Sequence, residues 1–146
     1  MNRMFVVCGV LLSFAACTTV NVRPVDAKAN PIQLVCIQEN PAVLVSDFVS
    51  VVEAGFQRHG IQTLVFKDKA PDQCEYRVTY TATRRWDLAP FMNYAELRLQ
   101  KGDETLSLAT YRHSGGFALN KWASTESKMD PVLDELLANF STQTSR

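Results

Sequence analysis

The sequence predicts an α+β domain, a two-layer sandwich in the order β-α-β-β-β-β-α with a mostly antiparallel sheet and two helices on one face. Three observations predict it. Cys74, Tyr76, Val78, Tyr80 and Ala82 alternate with Glu75, Arg77, Thr79, Thr81 and Thr83, the period-two pattern of a sheet with one wet face. Leu44, Phe48, Val51, Val52, Gly55 and Phe56 recur at three- and four-residue intervals, which puts them on one face of a helix. Pro131, Val132, Leu136, Leu137 and Phe140 mark a second helix that closes the chain.

Ahead of the domain the chain carries an address. Arg3, the mostly apolar run Met4 to Phe14 and Ala15-Ala16-Cys17 form an export signal, with an apolar stretch too short for a stable membrane span. The small residues directly before Cys17 resemble a lipobox, in which the cysteine thiol takes a diacylglycerol and the new amino terminus is acylated. Phe14 stands where a lipobox more often has an aliphatic residue. The alternative is an ordinary secretory cut near Ala15-Ala16, leaving a reactive thiol in an oxidising compartment. The expected division is a signal peptide over 1–16, a lipid-anchored tether over 17–31 and one α+β domain over 32–146. By resemblance to lipoproteins whose sorting depends on the residue after the cysteine, Thr18 in place of Asp directs the protein to the outer membrane, facing the periplasm.

The tether is polar, carries Pro24 and Pro31, and when extended reaches roughly 40 Å at about 3.3 Å per residue. Val20 and Val22 alternate well enough to make a short edge strand instead. Ile32 to Ile37 is expected as the first domain strand. Asn40 as N-cap and Pro41 at the first helical position start the first helix, and Gly60 stops it, so His59 is a last-turn residue favoured by the helix dipole. Ile61 to Phe66 is a short β-branched and apolar strand. The alternating strand runs from Cys74 to Trp86, and Ala95, Leu97 and Leu99 repeat its pattern. A turn at Lys101-Gly102-Asp103-Glu104 leads into Thr105 to Arg112, where Leu106 and Leu108 have one parity and Ala109 and Tyr111 the other, which predicts a bulge. Ser127 with Asp130 marks the start of the last helix, with Pro131 in its first turn.

The full chain has 15 basic and 15 acidic residues. Only Arg3 leaves with the signal, so the mature chain is close to neutral and offers no field for nucleic acid or for acidic lipid surfaces. No mature segment reaches membrane-spanning length, so lipid on Cys17 is its only expected membrane contact. Of four cysteines, Cys8 leaves with the signal, Cys17 is lipidated, and Cys36 and Cys74 remain as a pair expected to form a disulfide. Closing that loop is worth roughly 4 kcal/mol in the chain-entropy model, and it places the first strand beside the Cys74 strand. His59 and His113 lack ligand spacing to these cysteines, so no metal and no cofactor are expected.

No Gly-x-Ser-x-Gly elbow, phosphate-cradling loop or zinc-protease helix occurs. His113-Ser114-Gly115-Gly116 is the one local constellation, and a strand end followed by a glycine turn accounts for it. The long stretch from Gly115 to Lys128 is the stronger candidate surface. Phe117, Asn120, Lys121 and Trp122 are its candidate binding residues, with the alternative that Phe117, Leu119 and Trp122 simply cover the core. Arg84-Arg85-Trp86-Asp87 is a second, weaker candidate surface.

Four strings carry a resemblance: Val35-Cys36-Ile37-Gln38-Glu39-Asn40-Pro41, Gly55-Phe56-Gln57-Arg58-His59-Gly60-Ile61, Cys74-Glu75-Tyr76, and Ala118-Leu119-Asn120-Lys121-Trp122-Ala123-Ser124-Thr125-Glu126-Ser127-Lys128. Through them the chain resembles a family of small uncharacterised proteobacterial outer-membrane lipoproteins, over nearly the whole mature domain. The resemblance implies an outer-membrane lipoprotein and gives weight to the Trp122 loop, but it brings no activity. The expectation is a non-enzymatic, periplasm-facing module that binds another envelope protein through the wet sheet face or the Trp122 loop. The rivals are a small periplasmic hydrolase using His113 and a loop serine, and a carrier of a small apolar ligand between sheet and helices.

Overall fold

The computed structural model describes residues 18–114 and 119–140; the signal peptide, Cys17 and Phe117 lie outside the described residues. Strands β1 (Thr18–Val22), β2 (Leu34–Gln38), β3 (Gln62–Phe66), β4 (Tyr76–Asp87), β5 (Ala89–Lys101) and β6 (Glu104–His113) form one sheet in the order β1-β6-β5-β4-β2-β3. Helices α1 (Phe48–Arg58) and α2 (Thr125–Leu136) complete the α+β fold. The sheet is mixed. β2 runs parallel to both β3 and β4, while β1, β6, β5 and β4 pair antiparallel in turn. The helical crossover through α1 imposes the parallel pair, because a chain that returns through a helix re-enters the sheet in its original direction.

These directions give the sheet two chemically distinct ends. Thr18, Gln38, Phe66, Asp87, Ala89 and His113 mark one end; Val22, Leu34, Gln62, Tyr76, Lys101 and Glu104 mark the other. Between them, Tyr76, Val78, Tyr80 and Ala82 of β4 and Ala95, Leu97 and Leu99 of β5 are buried. They share one core with Phe48, Val52 and Phe56 of α1 and with Met129, Val132, Leu133 and Leu136 of α2. The expected alternation of β4 is therefore real. The expected bulge in β6 is also present: Leu99 faces Ser107 while Gln100 faces Thr105, leaving Leu106 unmatched and putting Ser107, Ala109, Tyr111 and His113 on the core side.

Several local expectations change. Residues 18–22 form the edge strand β1, and Val25 beyond it is buried, its N–H donating to Leu136 O at 3.0 Å, so this segment is bound to the domain instead of tethering it. Asn40 does not cap α1, which begins at Phe48. Its Oδ1 accepts from Ala42 N at 3.1 Å and its Nδ2 donates to Tyr80 O at 2.9 Å, so the side chain closes a local turn and ties it to β4. The predicted stop at Gly60 holds. With φ +76°, Gly60 donates its N–H to Gln57 O, and Ile61 N donates to Phe56 O, the paired bonds of a left-handed C-terminal cap. α2 starts earlier than expected, with Ser124 as N-cap accepting from Ser127 N at 3.1 Å, so Pro131 sits inside the helix and not in its first turn.

β4 and β5 continue past the expected break at Trp86 and turn at Leu88 alone, between the paired Asp87 and Ala89. Cys36 and Cys74 are bridged, with Cα atoms 5.6 Å apart. Cys36 pairs with Arg77, on the sheet face away from the core, and Cys74 precedes β4 in a turn whose N–H bonds to Pro71 O. The expected placement of Cys74 within the core-facing alternation is thus corrected. The alternation begins at Tyr76, because the turn re-aims the cysteine toward Cys36.

Candidate functional site

The candidate residues gather at the Thr18 end of the sheet, around the β4–β5 hairpin. Leu119–Trp122 forms one turn of 3-10 helix beside β5. Trp122 Nε1 donates to Asp87 O at 3.0 Å, while Lys121 Nζ makes an ion pair with the Asp87 carboxylate and lies 4.2 Å from the centroid of the Trp122 ring. Both groups of Asp87 are therefore engaged by two consecutive side chains from a distant part of the chain. Lys121 is buried, Asn120 exposed and Trp122 39% exposed. The structure thus brings Trp122 and Lys121 together and leaves Asn120 turned to solvent.

Lys128, on the second turn of α2, is buried beneath this turn. Its Nζ donates to Met92 O at 3.0 Å and to Lys121 O, and it lies 5.6 Å from the centroid of Phe91. Burial pushes its pKa below the ordinary lysine value. Phe91 in turn meets His113 edge-on, with ring centroids 5.9 Å apart. His113 is buried, its Nδ1 within 3.2 Å of Thr18 Oγ1, and its Nε2 has no hydrogen-bond partner among the described residues. Burial lowers the His113 pKa first, and the positive charges of Lys128 and Lys121 lower it further, which favours the neutral ring.

An open groove of about 400 Å³ runs between the turn at Val45, Ser46 and Asp47 and the faces of Arg84, Phe91 and Trp122. Its polar groups are largely committed. Asp47 Oδ1 accepts from Thr125 Oγ1 at 2.8 Å, and Arg84 Nη1 donates to Leu44 O at 3.0 Å. In neighbouring sequence positions, Leu44, Trp86 and Leu88 are 76%, 75% and 84% exposed. Leu88 takes a left-handed backbone with φ +59°.

Sequence reasoning missed the two residues on which this arrangement turns. Asp87 was visible only as the end of an Arg-Arg-Trp-Asp string, and nothing in local spacing links it to Lys121 and Trp122. Leu88 carried no turn signal, since leucine disfavours the left-handed conformation it adopts here. Among the described residues, no group of three or more His, Cys, Asp or Glu side chains is placed to hold a metal ion. No helix among them is long and apolar enough to cross a membrane.

No protein-family model and no curated protein matches this chain. Its fold is similar to that of PelC. The PelC dodecamer from Paraburkholderia phytofirmans superposes with a TM-score of 0.59 at 13% identity, over 82% of this chain and 96% of that one. A single-residue variant of the PelC dodecamer from the same organism gives 0.56 at 13% identity, over 81% and 97%. At this identity the likeness is one of fold.

Proposed function

We propose that this chain is a lipid-anchored, periplasm-facing outer-membrane protein that works by assembly with copies of itself and not by catalysis. The observation that carries the reading is the pair of sheet edges. Among the described residues β1 and β3 each pair on one side only, and neither Thr18–Val22 nor Gln62–Phe66 contains a proline or a charged residue to blunt it. A free β1 edge on one copy and a free β3 edge on the next allow a head-to-tail contact, which closes into rings or runs into filaments. The PelC structures of similar fold are described as dodecamers, which supports the same reading.

The chemistry of the candidate residues also favours contact over catalysis. The buried titratable side chains hold the fold: Lys121 on Asp87, Lys128 on two backbone carbonyls, His59 on Asp134 at 2.9 Å, and His113 on Thr18 instead of an acid. Trp122 has its N–H on Asp87 O and one face toward Lys121, so it braces the hairpin. Cys17 supplies the anchor in this reading.

Light scattering on the lipidated mature protein in detergent tests the assembly. The expected result is a discrete oligomer that Val20→Lys or Leu64→Lys, one on each edge, converts to monomer with unchanged far-UV circular dichroism. A wild-type protein that stays monomeric at every concentration contradicts it.

A further inference from the structure

We propose that the tip of the β4–β5 hairpin, Trp86-Asp87-Leu88, is a second membrane contact that sits in the lipid interface beside the anchor and fixes the orientation of the domain. This rests on the reading of Cys17 as lipidated. The proposed anchor has no slack. Thr18 is already paired with His113, so the anchor leaves the domain one residue, about 3.8 Å, from a fixed position in the sheet. With no tether between them, the surface around Thr18 faces the bilayer.

β1 starts, β6 ends and the β4–β5 hairpin turns at the same end of the sheet. Leu44, which is tied to Arg84, and Trp86, Leu88 and Trp122 are also there, and among the described residues they make up most of the exposed large apolar side chains. Among the described strands, β4 and β5 continue furthest past Thr18. β5 is last paired with β6 at Tyr94–Arg112, and the strand continues through Met92 to Leu88, roughly 13 Å beyond Thr18 for four residues at about 3.3 Å each. That reach exceeds the roughly 6 Å of headgroup region on one side of a bilayer.

A tip with tryptophan and leucine, followed down the strand by Arg84 and Arg85, matches an interface in which aromatic rings sit at headgroup level and cations stay in water. Asp87 is clamped by Lys121 and Trp122, so the tip is held in position without the membrane. The sheet edges run along the sides of this orientation, leaving β1 and β3 free for neighbouring copies on the same membrane.

The test uses the lipidated mature chain in vesicles of phosphatidylethanolamine and phosphatidylglycerol doped with a dibrominated phosphatidylcholine, whose bromines quench tryptophan on contact. Wild type is expected to lose about half of its emission or more, and Trp86→Phe, a change at an exposed ring, to remove most of the quenchable part. Vesicle-bound protein with acylated Cys17 that is not quenched, or Trp86→Phe quenched as strongly as wild type, overturns the hairpin contact and leaves the anchor standing. An intact mass without acyl chains on Cys17 overturns both.

Discussion

Between β5 and β6 the chain turns through Gly102 at φ +55°, in the polar string Lys101-Gly102-Asp103-Glu104, whereas between β4 and β5 it turns through Leu88 at φ +59°, between Asp87 and Ala89. Glycine adopts that backbone freely; a leucine there is strained by roughly 1 kcal/mol. The end of the sheet near Gly102 follows ordinary rules, with a polar turn, an exposed Lys101–Glu75 ion pair at 2.9 Å and a disulfide close by. The Thr18 end breaks them, with a strained apolar tip held by partly buried charges. The proposed membrane contact lies at the end where local rules are broken, as backbone strain tends to cluster at functional surfaces.

The largest expected effect lies on the conventional side. Replacing both Cys36 and Cys74 by serine should lower stability by about 4 kcal/mol, read as a shift in the urea midpoint, because a 38-residue separation is released in the unfolded chain. At the Thr18 end, Asp87→Ala should cost about 2 kcal/mol in the same assay, since buried Lys121 loses its anion and Trp122 its fixed partner. Glu75→Ala, which breaks the exposed Lys101 pair, should leave the urea midpoint essentially unchanged. Equal losses from those two changes would erase the distinction between the ends.

The turns themselves give a smaller and opposite pair of effects. Leu88→Gly should stabilise the fold by about 1 kcal/mol while weakening vesicle binding, whereas Gly102→Ala should destabilise it by about 1 kcal/mol and leave vesicle binding alone. A stability gain without loss of binding would show that Leu88 has no role outside the turn.

The two ends should also respond to acid in different windows. His113 has a folded pKa below its ordinary 6.5, so as the pH falls through that value the unfolded chain takes up the proton first and stability declines. At the other end, burial alone would raise the Asp134 pKa, but hydrogen bonds from His59 and Arg58, with their charges, hold it below its ordinary value of 3.8. Its contribution is complete above 3.8 and is lost only as the pH falls through the lower folded value. Thermal unfolding followed by circular dichroism should therefore show a decline just below pH 6.5 that His113→Gln removes and a separate, more acidic one that Asp134→Asn removes.

What the sequence made legible follows from where its signals are strong. The β4 alternation, the Gly60 stop, the bulge at Leu106 and the Cys36–Cys74 pair each rest on a pattern that tertiary context reinforces. β1 was faint because Thr18-Thr19-Val20-Asn21-Val22 buries little of its own surface and owes its form to pairing with β6. Asn40 was misleading for the opposite reason: it has the chemistry of a helix cap, but Tyr80 supplies a better partner forty residues away. Pro131 disfavours a helix interior, yet α2 continues through it because Val132, Leu133 and Leu136 are buried against the core. The candidate site was half visible. Trp122 and Lys121 stood out by residue type, whereas Asp87 and Leu88 acquire their roles only when the hairpin and the 3-10 turn meet.

The measurement that bears most directly on the whole account is the intact mass of the mature protein extracted from outer membranes. The mature chain is expected to begin at Cys17 and to carry acyl groups on that residue. A chain that begins elsewhere, or an unmodified Cys17, would contradict it.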